Sequence, residues 1–139
     1  MKLMENFGEI DRMALLLYGP IDIVAIISFL LLGELRHHIN PFQEFGWFLN
    51  TATPFVIGWI ISSLLLGAYA SKILADRRSL LVSAIISWIG ADIIAQLLRL
   101  TTYFHGGTPL SFIVVTMGFG SLFISVGRLL VFSINKRYI

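Results

Sequence analysis

Long apolar stretches separated by short polar breaks fill almost the whole chain. Four of them, at about 13–35, 52–74, 80–103 and 109–134, carry few charges. A helix rises ~1.5 Å per residue, so ~20 apolar residues cover the ~30 Å hydrocarbon core of a bilayer. Polar and apolar residues do not alternate at strand period, so a membrane barrel is not expected. Backbone groups in lipid must be satisfied within their own segment, which leaves helices. The pattern therefore predicts an all-α membrane protein, with residues 1–139 forming one transmembrane domain. Ahead of the first stretch, Leu3, Phe7 and Ile10 share one helical face, with Lys2, Glu5, Glu9 and Arg12 elsewhere. Residues 2–12 read as a short interfacial helix or a frayed end.

Composition strengthens this picture. Hydrophobic residues make up 57% of the chain and charged residues 13%, against ~25% charged in ordinary globular domains. A soluble fold and a disordered chain are both excluded, and a net charge of +2 is too small to suggest nucleic acid. There are no cysteines, so disulfides, thiolate metal sites and cysteine catalysis are ruled out. The first apolar stretch is longer than a signal-peptide core and lacks a small-residue exit, so it is expected to be retained.

The placement of charge predicts orientation. On the side of the N-terminus fall Lys2, Arg12, Lys72, Arg77, Arg78, Arg128, Lys136 and Arg137, and on the other only Arg36 and Arg99. Positive residues stay cytoplasmic, so both termini are expected there. Connections of about sixteen, five and five residues force antiparallel neighbours, and an antiparallel four-transmembrane-helix bundle follows. The two hairpins resemble each other: Pro20-Ile21-Asp22-Ile23-Val24-Ala25 reads like Gly90-Ala91-Asp92-Ile93-Ile94-Ala95, and Thr53-Pro54 like Thr108-Pro109. They are either a parallel repeat of the kind transporters use or a chance likeness of short strings. Proline near a helix start is also ordinary helix grammar.

Asp22, Asp92 and Arg128 are the most informative residues. An ionised group at mid-bilayer costs at least ~2.5–3.5 kcal/mol, so it normally faces a partner or water. Asp22 and Arg128 match in depth within roughly one helical turn of ~5.4 Å, and a buried Asp22–Arg128 pair joining the first and last helices is expected. It reads as a staple closing the bundle or as a gated ion or proton site. Asp92 lies deeper, with Gln96 or Ser87 in reach as hydrogen-bond partners, and is either neutral and hydrogen-bonded or a proton carrier. Asp22, Asp92, Gln96 and Arg128 are the candidate ion-pair or translocation residues.

Toward the far side, Glu34, Arg36, His37, His38, Arg99 and His105 form a candidate polar cluster. With Glu34 and Glu44 the three histidines suggest a metal site, or one of them an axial ligand to haem or chlorophyll. No H-x-x-x-H or E-x-x-H spacing supports either. Small residues recur along three helices: Gly58, Ser63, Gly67 and Ser71; Ser83, Ser87, Ala91 and Ala95; Gly118, Gly120, Ser121, Ser125 and Gly127. Such faces let backbones approach closely in lipid, first for internal packing and then for oligomerisation. Phe45, Trp47, Phe48, Tyr103 and Phe104 on one side, and Tyr69 and Tyr138 on the other, read as an aromatic belt.

Asp22, Gly33 with His37 and His38, Ala52-Thr53-Pro54-Phe55, Gly58-Trp59, Arg99, Gly106-Gly107, Ser111-Phe112-Ile113-Val114-Val115 and Gly127-Arg128 come in an order that resembles the domain-of-unknown-function 3054 family. The resemblance spans all four helices. It implies a small four-helix membrane protein of bacteria or archaea, and no activity. The family pattern has Gly-Arg-x-x-His after the first helix and Gly-Trp-Arg in the fourth. Here these read Gly33-Glu34-Leu35-Arg36-His37 and Val126-Gly127-Arg128, departures that bear on any role for the histidine.

Three function classes follow. The first is a non-enzymatic membrane subunit binding a protein partner, lipid or pigment, as a homo-oligomer or within a larger complex, in a bacterial or archaeal cytoplasmic membrane or a thylakoid. The second is a dimeric solute, ion or proton transporter using Asp22 and Asp92 with Arg128 as counter-ion. The third is an intramembrane enzyme. Ser62 and Ser111 are available nucleophiles, but no nucleophile elbow or paired base marks them.

Overall fold

The computed structural model describes residues 12–36, 43–70, 76–101, 103–104 and 110–138, without the side chains of Glu34, Arg36 and 135–138. Its four helices are α1 (Arg12–Arg36), α2 (Phe45–Leu65), α3 (Arg77–Arg99) and α4 (Leu110–Tyr138). There is no β-strand among the described residues. Each helix is long and apolar enough to cross a membrane, and together the four fit an integral membrane protein. Residues 2–11 lie outside the described residues.

Helix α2 departs most from the apolar pattern, which places it at 52–74. It starts earlier because Phe48 is buried in the core, so tertiary packing rewards the extra turns. Thr53-Pro54 therefore does not open the helix; Pro54 lies inside it. The missing Pro54 N–H removes one helical hydrogen bond. Around it, the Thr51 and Thr53 hydroxyls donate to the Trp47 and Leu49 carbonyls at 3.2 and 2.6 Å. The helix stops early because Gly67 takes a left-handed φ of 70°. The Ala68 N–H then donates back to the Ser63 carbonyl at 2.9 Å, a closure that requires a left-handed residue just past the helix. The chain does not leave the bundle there. Ala68, Tyr69 and Ala70 are all buried. Helix α3 opens on Asp76, whose side chain accepts from the Ser79 backbone N–H at 3.2 Å, satisfying a donor that the first turn leaves open.

The helices form a ring in which α2 packs on α3, α3 on α4 and α4 on α1, with only a thin contact between α1 and α2. Successive helices are antiparallel. Ser62 Oγ donates to the Ser87 carbonyl at 2.7 Å while Gly58 meets Ala91. Trp88 Nε1 donates to the Thr116 carbonyl at 2.8 Å, and Phe29 lies 6.0 Å from Phe123. The hairpins are thus packed unequally: α3 and α4 lie against each other far more than α1 and α2 do.

Aromatic rings occupy the middle. Phe55 stacks on Trp88 at 5.9 Å, and Phe29 meets Trp88 edge-on, also at 5.9 Å. Trp59 lies 6.5 Å from Trp88. Offset and edge-to-face contacts of this kind add ~0.5–1.5 kcal/mol each beyond area burial. Small residues make them fit. A Cβ on Gly58 would overlap the Ala91 carbonyl, and one on Gly120 would overlap the Trp88 indole. These parts of the small-residue stripes serve internal packing, whereas Gly67 belongs to a turn.

Candidate functional site

Two buried polar clusters lie inside the bundle. In the first, Arg128 Nε and Nη2 donate to Asp22 Oδ1 and Oδ2 at 3.0 and 2.9 Å, with both side chains wholly removed from solvent. This forked geometry is the strongest that an arginine and a carboxylate adopt. Arg128 Nη1 donates to the Ala68 carbonyl at 3.2 Å. Tyr69 donates to Asp22 Oδ2 at 2.6 Å and accepts from Trp59 Nε1 at 3.0 Å. The rings of Tyr69, Tyr18 and Trp59 surround the guanidinium at 5.2, 5.6 and 5.7 Å, within cation–π range. Burial pushes the Tyr69 phenol above its ordinary range, and the charge of Asp22 adds to the effect. The carboxylate thus receives three hydrogen bonds, and the guanidinium gives three from its five N–H groups.

The second cluster sits between α3 and α4. Gln96 Nε2 donates to Asp92 Oδ1 at 2.9 Å. Thr116 Oγ1 lies 3.0 and 2.9 Å from the two Asp92 oxygens, and 3.0 Å from the Ile113 carbonyl. A hydroxyl has one proton to give, so these contacts compete. Among the described residues no cation lies within ion-pair distance of Asp92. A crevice of about 200 Å³ opens beside the cluster, lined by Asp92 and Gln96 with Leu97, Leu100, Ile113 and Met117.

The four candidate ion-pair residues therefore divide: Asp22 joins Arg128, and Asp92 joins Gln96. Their partners on α4, Arg128 and Thr116, are separated by ~18 Å along the helix at ~1.5 Å per residue. No hydrogen bond links the clusters among the described residues. Ser87 does not reach Asp92; its carbonyl accepts from Ser62. Arg99 is buried, with its guanidinium 4.4 Å above the Phe112 ring. Of its proposed neighbours, His37, His38, His105 and the side chains of Glu34 and Arg36 lie outside the described residues. Glu44 is exposed just ahead of α2. Among the described residues no three His, Asp or Glu side chains gather as a metal site would.

Sequence reasoning missed Tyr69, Trp59, Ala68 and Thr116. Tyr69 reads as belt because the apolar run continues past Gly67; the signal for its inward turn is that glycine. Phe48 likewise leaves the belt for the core. Thr116 was within reach of counting, since in an antiparallel hairpin Asp92 and Thr116 lie equally far from residue 104.

A family model described as protein of unknown function (DUF3054) matches residues 20–131. No curated protein and no solved structure matches the chain.

Proposed function

We propose a function from one premise: the chain belongs to the DUF3054 family, whose model covers residues 20–131. It is a non-enzymatic integral membrane subunit that holds a lipid-phase ligand or a partner on its outer faces. Both termini are cytoplasmic, an orientation supported by the eight-to-two distribution of Lys and Arg. The observation that carries the reading is the filled interior. Phe29, Phe55, Trp59 and Trp88 contact one another in the middle of the bundle, and Asp22 and Arg128 are hydrogen-bonded to each other, to Tyr69 and to the Ala68 carbonyl. This pair acts as a structural staple, which leaves the outer faces for binding. Those faces carry large apolar side chains such as Leu16, Val114 and Leu130, suited to lipid or to another helix.

The test is extraction in a mild detergent or in polymer-bounded native discs, followed by native mass spectrometry. A reproducible co-purifying lipid, pigment or protein is expected. A stable monomer carrying nothing would overturn the reading.

One observation favours a second reading, a dimeric ion or solute transporter: Asp92 is a buried carboxyl whose partners are a hydroxyl and an amide. In that case proton or solute flux in vesicles vanishes with Asp92→Asn, and flux unchanged in this variant removes Asp92 from the mechanism.

A further inference from the structure

We infer that Asp92 is a proton-binding site: at neutral pH it is a carboxylic acid, its Oδ2–H donating to Thr116 and its Oδ1 accepting from Gln96. Neither reading above fixes the charge of this residue.

Donors and acceptors around Asp92 balance only in the acid form. Thr116 Oγ1 faces the two Asp92 oxygens at 3.0 and 2.9 Å and the Ile113 carbonyl at 3.0 Å. An ionised carboxyl accepts only, as a carbonyl does, and one hydroxyl proton cannot serve both. A proton on Asp92 Oδ2 removes the conflict. It is given to Thr116 Oγ1 at 2.9 Å, and Thr116 gives its own proton to the Ile113 carbonyl. Gln96 Nε2 donates to Oδ1 at 2.9 Å, and its second N–H faces Thr116 Oγ1 at 3.4 Å. The hydroxyl then uses its one proton and both lone pairs. Turning the Gln96 amide over changes nothing essential, because its oxygen would then face the carboxyl and need the acid proton itself.

The other buried aspartate gives the contrast. Asp22 receives two N–H groups from Arg128 and the Tyr69 hydroxyl. Nothing comparable reaches Asp92, although its side chain is equally removed from solvent. The α2 span holds no ionisable residue, and α4 holds none ahead of Arg128. On α1, Tyr18 and Asp22 belong to the Arg128 cluster. On α3 itself the nearest cation is Arg99, two turns further on and ~10 Å along the axis, with its guanidinium over the Phe112 ring. A buried carboxylate needs a counter-charge or a full set of donors, whereas the neutral acid needs only its hydrogen bonds. A proton is thus the ligand of this cluster. It lets a neutral network join α3 to α4, where an ion pair joins α1 to α4.

The experiment is infrared spectroscopy of the full chain at neutral pH in a maltoside detergent, which has no carbonyl of its own. Aspartate is isotope-labelled at the side-chain carboxyl, and labelled and unlabelled spectra are subtracted. The carbonyl stretch of one protonated carboxyl per chain is expected, moved by the label. Asp92→Asn should abolish it. Gln96→Leu deletes the hydrogen bond to Oδ1 and should raise its frequency, which answers the question even where Asp92→Asn fails to fold. A labelled wild type without a protonated-carboxyl band would overturn the inference. So would a band that survives Asp92→Asn, or one whose frequency is the same in Gln96→Leu.

Discussion

Asp22 on α1 and Arg128 on α4, separated by 106 residues in sequence, meet through two hydrogen bonds of 3.0 and 2.9 Å with no solvent exposure on either side chain. The pair ties the first helix to the last and closes the ring that the thin α1–α2 contact leaves weak. Buried ion pairs stabilise little relative to apolar isosteres, but removing one member strands the other. Asp22→Asn and Arg128→Met should each destabilise by ~3–5 kcal/mol in thermal or denaturant unfolding in detergent. The double variant should lose clearly less than the two single losses combined. Additive losses would show that the two side chains are not coupled.

Tyr69 connects that pair to the turn after α2. Tyr69→Phe removes the donor to Asp22 and the acceptor for Trp59 Nε1, at a cost of ~1.5–3 kcal/mol for a hydrogen bond to a charged group. A pH signature goes with it. The phenol is raised from an ordinary value of 10.0 by burial first and Asp22 second. Its stabilisation is therefore complete below pH ~10, where the unfolded phenol is also protonated, and falls as pH rises toward the folded value. Unfolding midpoints of the wild type should drop more between pH 9 and 11 than those of Tyr69→Phe. Parallel pH curves would contradict the buried geometry of this residue.

Glycine contacts give a paired prediction. A Cβ on Gly58 would overlap the Ala91 carbonyl, whereas one on Gly118 meets nothing within 4 Å. Gly58→Ala should force α2 from α3 and cost ~1–3 kcal/mol, the range for overpacked cores. Gly118→Ala should be neutral or stabilising by up to ~1 kcal/mol through helix propensity. The ranking of the two unfolding temperatures decides the matter.

Thr116→Val keeps the shape of the side chain while removing its hydroxyl from Asp92. Leaving a buried carboxyl short of a hydrogen-bond partner costs ~1–3 kcal/mol. Thr116→Ser retains the hydroxyl and should recover most of that loss. If Val and Ser unfold alike, the hydroxyl contributes no stability at Asp92.

Topology is open to direct measurement because the chain has no cysteine. Gln43 and Arg78 are both exposed, at opposite ends of the α2 span. A membrane-impermeant maleimide should label Gln43→Cys in intact cells, and Arg78→Cys only after permeabilisation. The reverse pattern would invert the proposed orientation.

Much of this architecture is legible in the residues alone, for a physical reason. Lipid forbids an unsatisfied backbone, so length and hydropathy suffice for four helices. The same expense of an ion in hydrocarbon made an Asp22–Arg128 pairing foreseeable, since matched depth and opposite charge leave few alternatives. Gln96 beside Asp92 follows from one helical turn of spacing.

What hydropathy could not supply is where a helix stops within an apolar run. Residues 66–74 are nearly as apolar as the helix before them, and only the left-handed Gly67 turns the chain inward. That one backbone angle carries Tyr69 and the Ala68 carbonyl to the ion pair, partners hidden from any reading that continues the helix. The start of α2 was equally hidden, because burial of Phe48 depends on neighbours from other helices. The division of the buried charges into an Asp22–Arg128 pair and a separate cluster of Asp92 with Gln96 and Thr116 was likewise decided in three dimensions. Depth along a helix is a local property written in residue number, but the face that each side chain meets depends on how all four helices pack.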